Sequence, residues 1–265
     1  MRKILNYTKI ALGIEYNGSR YKGWQKQNNF KNTVQETIES VLSFIAQHEI
    51  KLYSAGRTDS GVHSIGQVAH FYTSTIKTME LWISSSNSFL PDDITILWAR
   101  SVPFYFHARH SALSRHYRYI IYNKKYKTAI FKNFLCHVNK KLDIKNMQFA
   151  GNFLLGEHDF SSFRSKGCQS SSNYRKLTYF NILRDGPLII IDIIANAFLY
   201  HMVRNIVGCL IDIGTCKKNV FYIKDLLKMN NRMYASSTAN SNGLYLIHVK
   251  YPKFFNIPKS FKSFI

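Results

Sequence analysis

The sequence predicts an α+β protein of two similar domains, each a mainly antiparallel sheet with helices on one face. Three observations carry this. Segments with two-residue alternation and segments with helical periodicity are interspersed along the chain on short connections. The same ingredients recur in its second half. The 265 residues, 46% hydrophobic and 15% aromatic with only 5 Pro, supply a packed core and exclude a disordered basic tail.

Lys9 to Tyr16 reads as a strand followed by the turn Asn17-Gly18. Thr33-Val-Gln-Glu36 is a capping box, and Val34, Ile38, Val41, Leu42 and Ile45 follow at helical spacing, so an amphipathic helix starts there. Short strands are expected near Ile50 to Ser54 and at Gln67 to Tyr72, and a second helix from Met79 to Asn87. Pro91 and Pro103 punctuate the end of this half, placing the domains at residues 1–106 and 107–265. The second half offers an alternating strand at His116 to Tyr122, a helix from Ile144 to Leu154 stopped by Gly156, and an apolar strand at Leu188 to Ile194. Val203, Ile206, Val207, Leu210 and Ile213 give the next helix one apolar face, with Gly214 as its stop. A short helix at Ile223 to Met229 and a strand at Leu244 to Tyr251 close the pattern. The duplication rests on element order, since no strict sequence repeat is present.

Charge narrows the function. With 36 Lys+Arg against 15 Asp+Glu the net charge is +21, a field that concentrates polyanions such as nucleic acid or an anionic membrane. The many Lys, Asn and Ile residues also fit a compositional drift, which weakens charge as a sole argument. The longest apolar stretch, Leu188 to Ala195, is short and interrupted by Asp192, so no membrane-spanning helix is expected. The basic N-terminus, Met1 to Lys9, lacks the apolar core of a signal peptide, and a cytoplasmic location is expected. Cys136, Cys168, Cys209 and Cys216 form no C-x-x-C pair and read as reduced thiols.

The segment with the most chemical potential is Ser54-Ala-Gly-Arg-Thr-Asp-Ser-Gly-Val-His63, where two glycines surround a lone Arg57 and a lone Asp59. Asp-Ser-Gly by itself is an ordinary turn. The density of chemistry raises a functional reading beside that one, since the glycines admit close approach of a ligand and Asp59 stands between a cation and a histidine. Between Phe104 and Lys132, seven Lys or Arg and eight Phe or Tyr occur with no acid, a mixture suited to phosphates and exposed bases as well as to a solvated strand face. Ser161 to Lys176, with Arg164, Lys166, Arg175 and Lys176, reads as a second basic loop with the Ser/Gly content of a mobile flap, and Tyr21 to Gln27 as a third candidate segment for a nucleic-acid surface. His158-Asp159 raises a metal-dependent reading, disfavoured because no H-x-x-x-H or His/Cys cluster accompanies it.

The segment Gly56-Arg-Thr-Asp-Ser-Gly-Val-His63 resembles the signature of the tRNA pseudouridine synthase A family, which usually has Ala after the Asp. The likeness continues at Gly13-Ile-Glu-Tyr-Asn-Gly18, Gly23-Trp-Gln-Lys-Gln27, Phe106-His-Ala-Arg109, Tyr117-Arg-Tyr119, Gly156-Glu-His-Asp-Phe160, Asn196-Ala-Phe198, His201-Met-Val-Arg-Asn-Ile-Val-Gly208 and Gly243-Leu-Tyr-Leu246, in order along the chain. The resemblance implies two domains joined side by side with the active-site cleft between them. It implies a homodimer acting on tRNA, with no cofactor and no metal, that isomerises uridine to pseudouridine at positions 38, 39 and 40 of the anticodon stem-loop.

By motif, Asp59 corresponds to the catalytic aspartate and Arg204 to the cation that keeps it ionised. Tyr117 corresponds to the tyrosine stacking on the target base and Leu244 to the apolar wall of the uracil pocket. Breaking the N-glycosidic bond creates positive character at C1′, which an ionised carboxylate stabilises or captures. Attack at C1′, attack at C6 and removal of the C2′ proton all need that ionised form, which burial alone would oppose. Arg57, two residues before Asp59, is expected to contact a phosphate or help extrude the base. His63, Arg109, Arg164 and Lys166 complete the expected substrate contacts. Ser60 in place of Ala puts a hydroxyl beside Asp59 that, bonded to it, would alter its pKa. The alternatives are a non-catalytic tRNA-binding protein, to which a carboxylate in the groove adds nothing, and a metal-dependent nuclease, which a chelator would stop.

Overall fold

The computed structural model describes residues 7–27 and 32–259, and residues 1–6 of the N-terminal stretch read for a targeting signal lie outside them. The chain divides into two compact units, one of Met1–Leu113 and Leu246–Ile265, the other of Ser114–Tyr245.

Unit 1 begins with β1 (Thr8–Tyr16), followed by α1 (Val34–Ala46), β2 (Tyr53–Ser54), β3 (His63–Thr73), α2 (Met79–Phe89) and β4 (Ile94–Ser101). β1 lies between β3 and β4, antiparallel to both, and β2 pairs the outer part of β3. Alternation along β1 buries Ile10, Leu12, Ile14 and Tyr16 on one face, where they meet Val34, Ile38 and Leu42 of α1 and Trp82 of α2 in a single core. The Thr33 half of the capping box forms as expected, Thr33 Oγ1 accepting the Glu36 N–H at 3.3 Å, while the Glu36 carboxylate reaches one residue further and accepts the Asn32 N–H at 3.2 Å. Burial of Ile38 and Leu42 contributes about 1.5–3 kcal/mol each. Gly13 is required in β1, since a Cβ there would lie 2.0 Å from the Trp98 indole crossing it from β4.

Unit 2 holds β5 (Ser114–Asn123), β6 (Cys136–Val138), α3 (Ile144–Asn152), β7 (Gly156–Asp159), β8 (Tyr174–Asp185), β9 (Leu188–Ala195), α4 (Met202–Gly214) and α5 (Tyr222–Met229). Its strand order is β5-β9-β8-β7, antiparallel throughout, with β6 added parallel to β5. α3 lies against the sheet through Gly151, where a Cβ would be 1.9 Å from the Phe180 ring of β8. Gly156, expected to stop α3, instead opens β7 at φ +101°, while α3 ends at Asn152 with Phe153 as its cap.

β10 (Leu244–Lys250) brings the chain back to unit 1 beside β3. Ser64 Oγ donates to the Leu246 carbonyl at 3.0 Å, Leu113 N–H to Lys250 O at 2.7 Å and Tyr251 Oη to Ala108 O at 2.6 Å. These bonds explain why the first unit runs to Leu113 rather than to the expected residue 106, and why it reclaims the chain from Leu246. The four cysteines are free thiols. Among the described residues no helix is long and apolar enough to cross a membrane.

Candidate active site

In unit 1, Asp59 lies on the connection between β2 and β3, and that connection is closely held. Ala55 N–H bonds Val68 O at 2.7 Å, and the Gln67 amide donates to Gly56 O at 2.8 Å. A turn closes from Val62 N–H to Asp59 O at 3.2 Å, with Gly61 at φ +78°, where side chains other than glycine's are strained.

Behind the turn runs the segment after β1. Tyr16 Oη and Thr58 Oγ1 are hydrogen-bonded at 2.8 Å, Trp24 N–H donates to Thr58 O at 3.0 Å, and Gly18 N–H donates to His63 Nδ1 at 3.2 Å. Asn17 shapes this segment by accepting the Ser19 N–H at 3.1 Å. A Cβ on Gly18 would fall 1.9 Å from Val62 O, so the two stretches approach as closely as backbone allows. Asp59 is left half-buried and Arg57 exposed.

Three expectations change here. The Ser60 hydroxyl donates to Tyr21 O at 3.1 Å, fastening the loop to its support instead of bonding Asp59. Tyr21 and Trp24, read as RNA-facing, are 5% and 1% exposed and belong to the core beneath the loop. His63 is likewise buried, with Nδ1 committed to Gly18, so its place is in the support of the turn.

Arg109 is exposed on a turn built by its own motif. His107 N–H donates to Ser111 Oγ at 2.9 Å, and Arg109 N–H donates to His107 Nδ1 at 3.1 Å. Ala108 N–H donates to Nδ1 of buried His70 at 3.2 Å, fixing the turn to β3. Burial, then the charges of His107 and Lys9, push the His70 imidazole down to about 3, so it is neutral near pH 7.

Unit 2 carries the other motif residues. Tyr117 stands on β5 opposite Ile193 of β9, with its ring edge-on to Phe198 at 4.9 Å. Tyr117 and Tyr119 share the buried face that alternation predicts. Arg204 lies in the first turn of α4, its Nε donating to Ala239 O at 2.9 Å while its own carbonyl accepts the Ala239 N–H at 3.1 Å. The segment before β10 can cross α4 this closely because Gly208 faces it, a Cβ there falling 2.0 Å from Ser237 O. Leu244 is the buried first residue of β10.

Sequence reading missed the group that anchors α4. Fully buried Asn205 donates from Nδ2 to Phe163 O at 2.8 Å and to Ser165 Oγ at 3.2 Å. Its Oδ1 accepts from Thr238 Oγ1 at 2.6 Å and Arg232 Nη2 at 3.1 Å. The signal available was a polar residue inside an otherwise apolar helical face, which must find partners when buried.

The basic loop is shorter and more constrained than expected, because Arg175 and Lys176 belong to β8. Arg164 donates to Asn173 Oδ1 and to Cys168 O, both at 2.6 Å, so its guanidinium holds the loop closed, while Lys166 is exposed beside Gly167 at φ +86°. His158 and Asp159 are used locally: His158 Nε2 meets Leu155 O at 2.8 Å, and Asp159 Oδ1 accepts Ser161 N–H at 2.8 Å. Among the described residues no three His, Cys, Asp or Glu gather as metal ligands would.

Comparison with known proteins agrees with these motifs. A family model described as tRNA pseudouridine synthase matches residues 13–111 and 150–252. The chain is similar to tRNA pseudouridine synthase A of Buchnera aphidicola subsp. Baizongia pistaciae, 54% identical over 250 residues and covering 94% of each chain. It is similar to tRNA pseudouridine synthase A of Actinobacillus pleuropneumoniae serotype 3, 50% identical over 252 residues, 95% of this chain and 96% of that one. A crystal structure of a Cbf5-Nop10-Gar1 complex aligns over 76% of this chain and 45% of that one at 13% identity and a TM-score of 0.35, too low to carry a shared fold.

Proposed function

The chain belongs to the tRNA pseudouridine synthase family and is an isomerase that turns uridine into pseudouridine in tRNA; from that premise we propose that Asp59 is its catalytic nucleophile and that the targets are uridines 38, 39 and 40 of the anticodon stem-loop. The observation that supports the assignment of Asp59 is the local one around it, and the target positions rest on the family resemblance. A half-buried carboxylate sits on a turn whose neighbours Thr58, Ser60, Val62 and His63 are each bonded or packed against a second segment. Such a turn spends its backbone freedom on presenting a single carboxylate, the requirement for electrostatic or covalent work at C1′ or C6.

In the reaction the N1–C1′ bond breaks, uracil turns, and C5 bonds to C1′. The hydrogen on C5 leaves as a proton and N1 ends protonated, so atoms and charge balance without an added reactant. Tyr117 is the platform on which the extruded base regains stacking, worth about 1–3 kcal/mol. Arg204 is the charge-balancing cation, Leu244 the apolar wall, and Arg57 the phosphate or base-extrusion contact. Arg109 and Lys166 contact the tRNA backbone, consistent with the +21 charge, while Arg164 holds the loop that presents Lys166. We further propose a cytoplasmic homodimer.

The test is tritium release from tRNA labelled at uridine C5. Release by the natural enzyme and none by Asp59→Asn, with tRNA binding retained, supports the assignment. Full release by Asp59→Asn overturns it. An anticodon arm without uridines at 38–40 that still releases label from other positions overturns the site specificity.

A further inference from the structure

Tyr16 ends β1 and is 2% exposed, its ring tilted against Trp24 at 5.8 Å between centroids. Its hydroxyl lies 2.8 Å from Thr58 Oγ1, 42 residues further along the chain. Thr58 is itself only 7% exposed and immediately precedes Asp59, and its carbonyl accepts the Trp24 N–H at 3.0 Å. Both polar ends of Thr58 are thus taken up by the segment from Tyr16 to Trp24.

A phenylalanine at position 16 would fill nearly the same volume with no polar group to satisfy. Burying a phenol and an alcohol against each other gains little net stability, so what the pair adds is geometry. Burial raises the Tyr16 hydroxyl well above its ordinary value of 10, outweighing its hydrogen bonds to Thr58, Gln67 and Ser64, and the negative charge of Asp59 pushes the same way. The phenol therefore stays neutral near pH 7. β3 carries an extra residue opposite this point, the register jumping between the Ile14–Gln67 and Tyr16–Ser64 pairs. Such a bulge re-aims the chain entering a site.

We propose that Tyr16 is a positioning residue for the isomerisation: through its bond to Thr58 it fixes the backbone that carries Asp59, so that the carboxylate meets the uridine in one orientation. The proposal rests on the reading of Asp59 as the catalytic carboxylate. Misplacement of a reacting group by about 1 Å costs on the order of 100-fold in rate.

The test uses the full chain and tritium release from C5-labelled tRNA, comparing Tyr16→Phe, Thr58→Val, Thr58→Ser, the Tyr16→Phe/Thr58→Val double variant and Asp59→Asn. Tyr16→Phe and Thr58→Val are each expected to lower kcat by about 10- to 100-fold with KM for tRNA within about 2-fold. Thr58→Ser, which keeps the hydroxyl, restores kcat to within about 3-fold of the natural enzyme. The double variant is no slower than Tyr16→Phe alone, because the Thr58 bond that Thr58→Val removes is already lost in Tyr16→Phe together with the bonds to Gln67 and Ser64. Natural kcat in Tyr16→Phe, a loss appearing in KM alone, or effects that multiply in the double variant would overturn the proposal. If Tyr16→Phe does not fold, the Thr58→Val and Thr58→Ser pair decides from the other end of the bond. Asp59→Asn separates the two readings. Inactive Asp59→Asn with fully active Tyr16→Phe removes the positioning role alone, whereas active Asp59→Asn removes the catalytic assignment and this role with it.

Discussion

Arg118 on β5 grips Asp192 on β9 with two parallel hydrogen bonds, Nε to Oδ1 and Nη2 to Oδ2, each 2.9 Å, across directly paired residues of the two strands. His116 adds a third contact to Oδ1 at 2.7 Å. The charged residue that interrupts the apolar run of β9 is therefore the point at which β5 and β9 are keyed in register, since a slip of one residue would leave a buried carboxylate unpaired.

Burial by itself would raise the Asp192 carboxyl, but the bonds from His116 and Arg118 and the Arg118 charge outweigh it and hold the group below its ordinary 3.8. Because the folded-state value is the lower one, the contribution is complete above 3.8 and disappears as the pH falls through the folded value. Asp192→Asn is expected to lose about 1.5–3 kcal/mol near neutral pH. Urea unfolding of both proteins from pH 7 to 2.5 checks this, with the gap closing toward the acid end.

His70 shapes a different window. Its folded value of about 3 lies below the ordinary 6.5, so the unfolded chain takes up a proton first and stability declines as the pH falls from 6.5 toward 3. His70→Phe loses the bond from Ala108 N–H and is less stable at pH 7, but its unfolding midpoint should vary less between pH 7 and 4. An equal pH slope in both proteins would place the acid sensitivity elsewhere.

Gly23, at φ +90°, leaves 2.7 Å between the position of a Cβ and Thr58 O. Gly23→Ala combines a left-handed conformation, costing about 1–2 kcal/mol, with displacement of the Asp59 loop. The expected result is a lower melting temperature together with a kcat loss larger than the change in tRNA affinity, measured by tritium release and filter binding.

Asn205→Leu preserves volume but leaves Phe163 O, Ser165, Arg232 and Thr238 without their shared partner. With each abandoned buried group costing about 1–3 kcal/mol, a loss of several kcal/mol is expected, read by chemical denaturation.

Lys166 and Arg164 should separate by mechanism. Lys166→Ala is expected to weaken tRNA binding and lower the slope of log K against log salt by about 1 with the melting temperature unchanged. Arg164→Ala also releases Asn173 and Cys168, so the loop from Ser165 to Ser172 becomes open to protease. Equal behaviour of the two variants would contradict the closed loop.

Elements with one strong local signal were legible in the sequence. α1 shows its capping box and apolar stripe, and β9 its run of β-branched residues. β8 was invisible for a physical reason. Its buried residues are Arg175, Leu177, Phe180 and Ile182, a cation among them, and the bulge between Leu177 and Tyr179 shifts the two-residue phase that marks a strand. β4 suffers the same fate where its register jumps opposite Gly13 and Ile14. At the candidate site, the Gly-flanked segment around Asp59 stands out by its own residues, whereas Tyr117 and Arg204 are singled out only by resemblance to the family's motifs. The partners that hold them, Thr58 on Tyr16 and Arg204 on Ala239, join positions 42 and 35 residues apart, which no local pattern encodes.

The return of β10 to the first unit sets an order of events during synthesis. Unit 2 is one uninterrupted stretch, Ser114–Tyr245, and has all its own chain once Tyr245 leaves the ribosome. Unit 1 is made first yet still lacks the strand beside β3, and Ser64, Leu113 and Ala108 wait for partners at Leu246, Lys250 and Tyr251. The half translated first is therefore the half completed last, and until then its β3 edge is the vulnerable surface of the nascent protein.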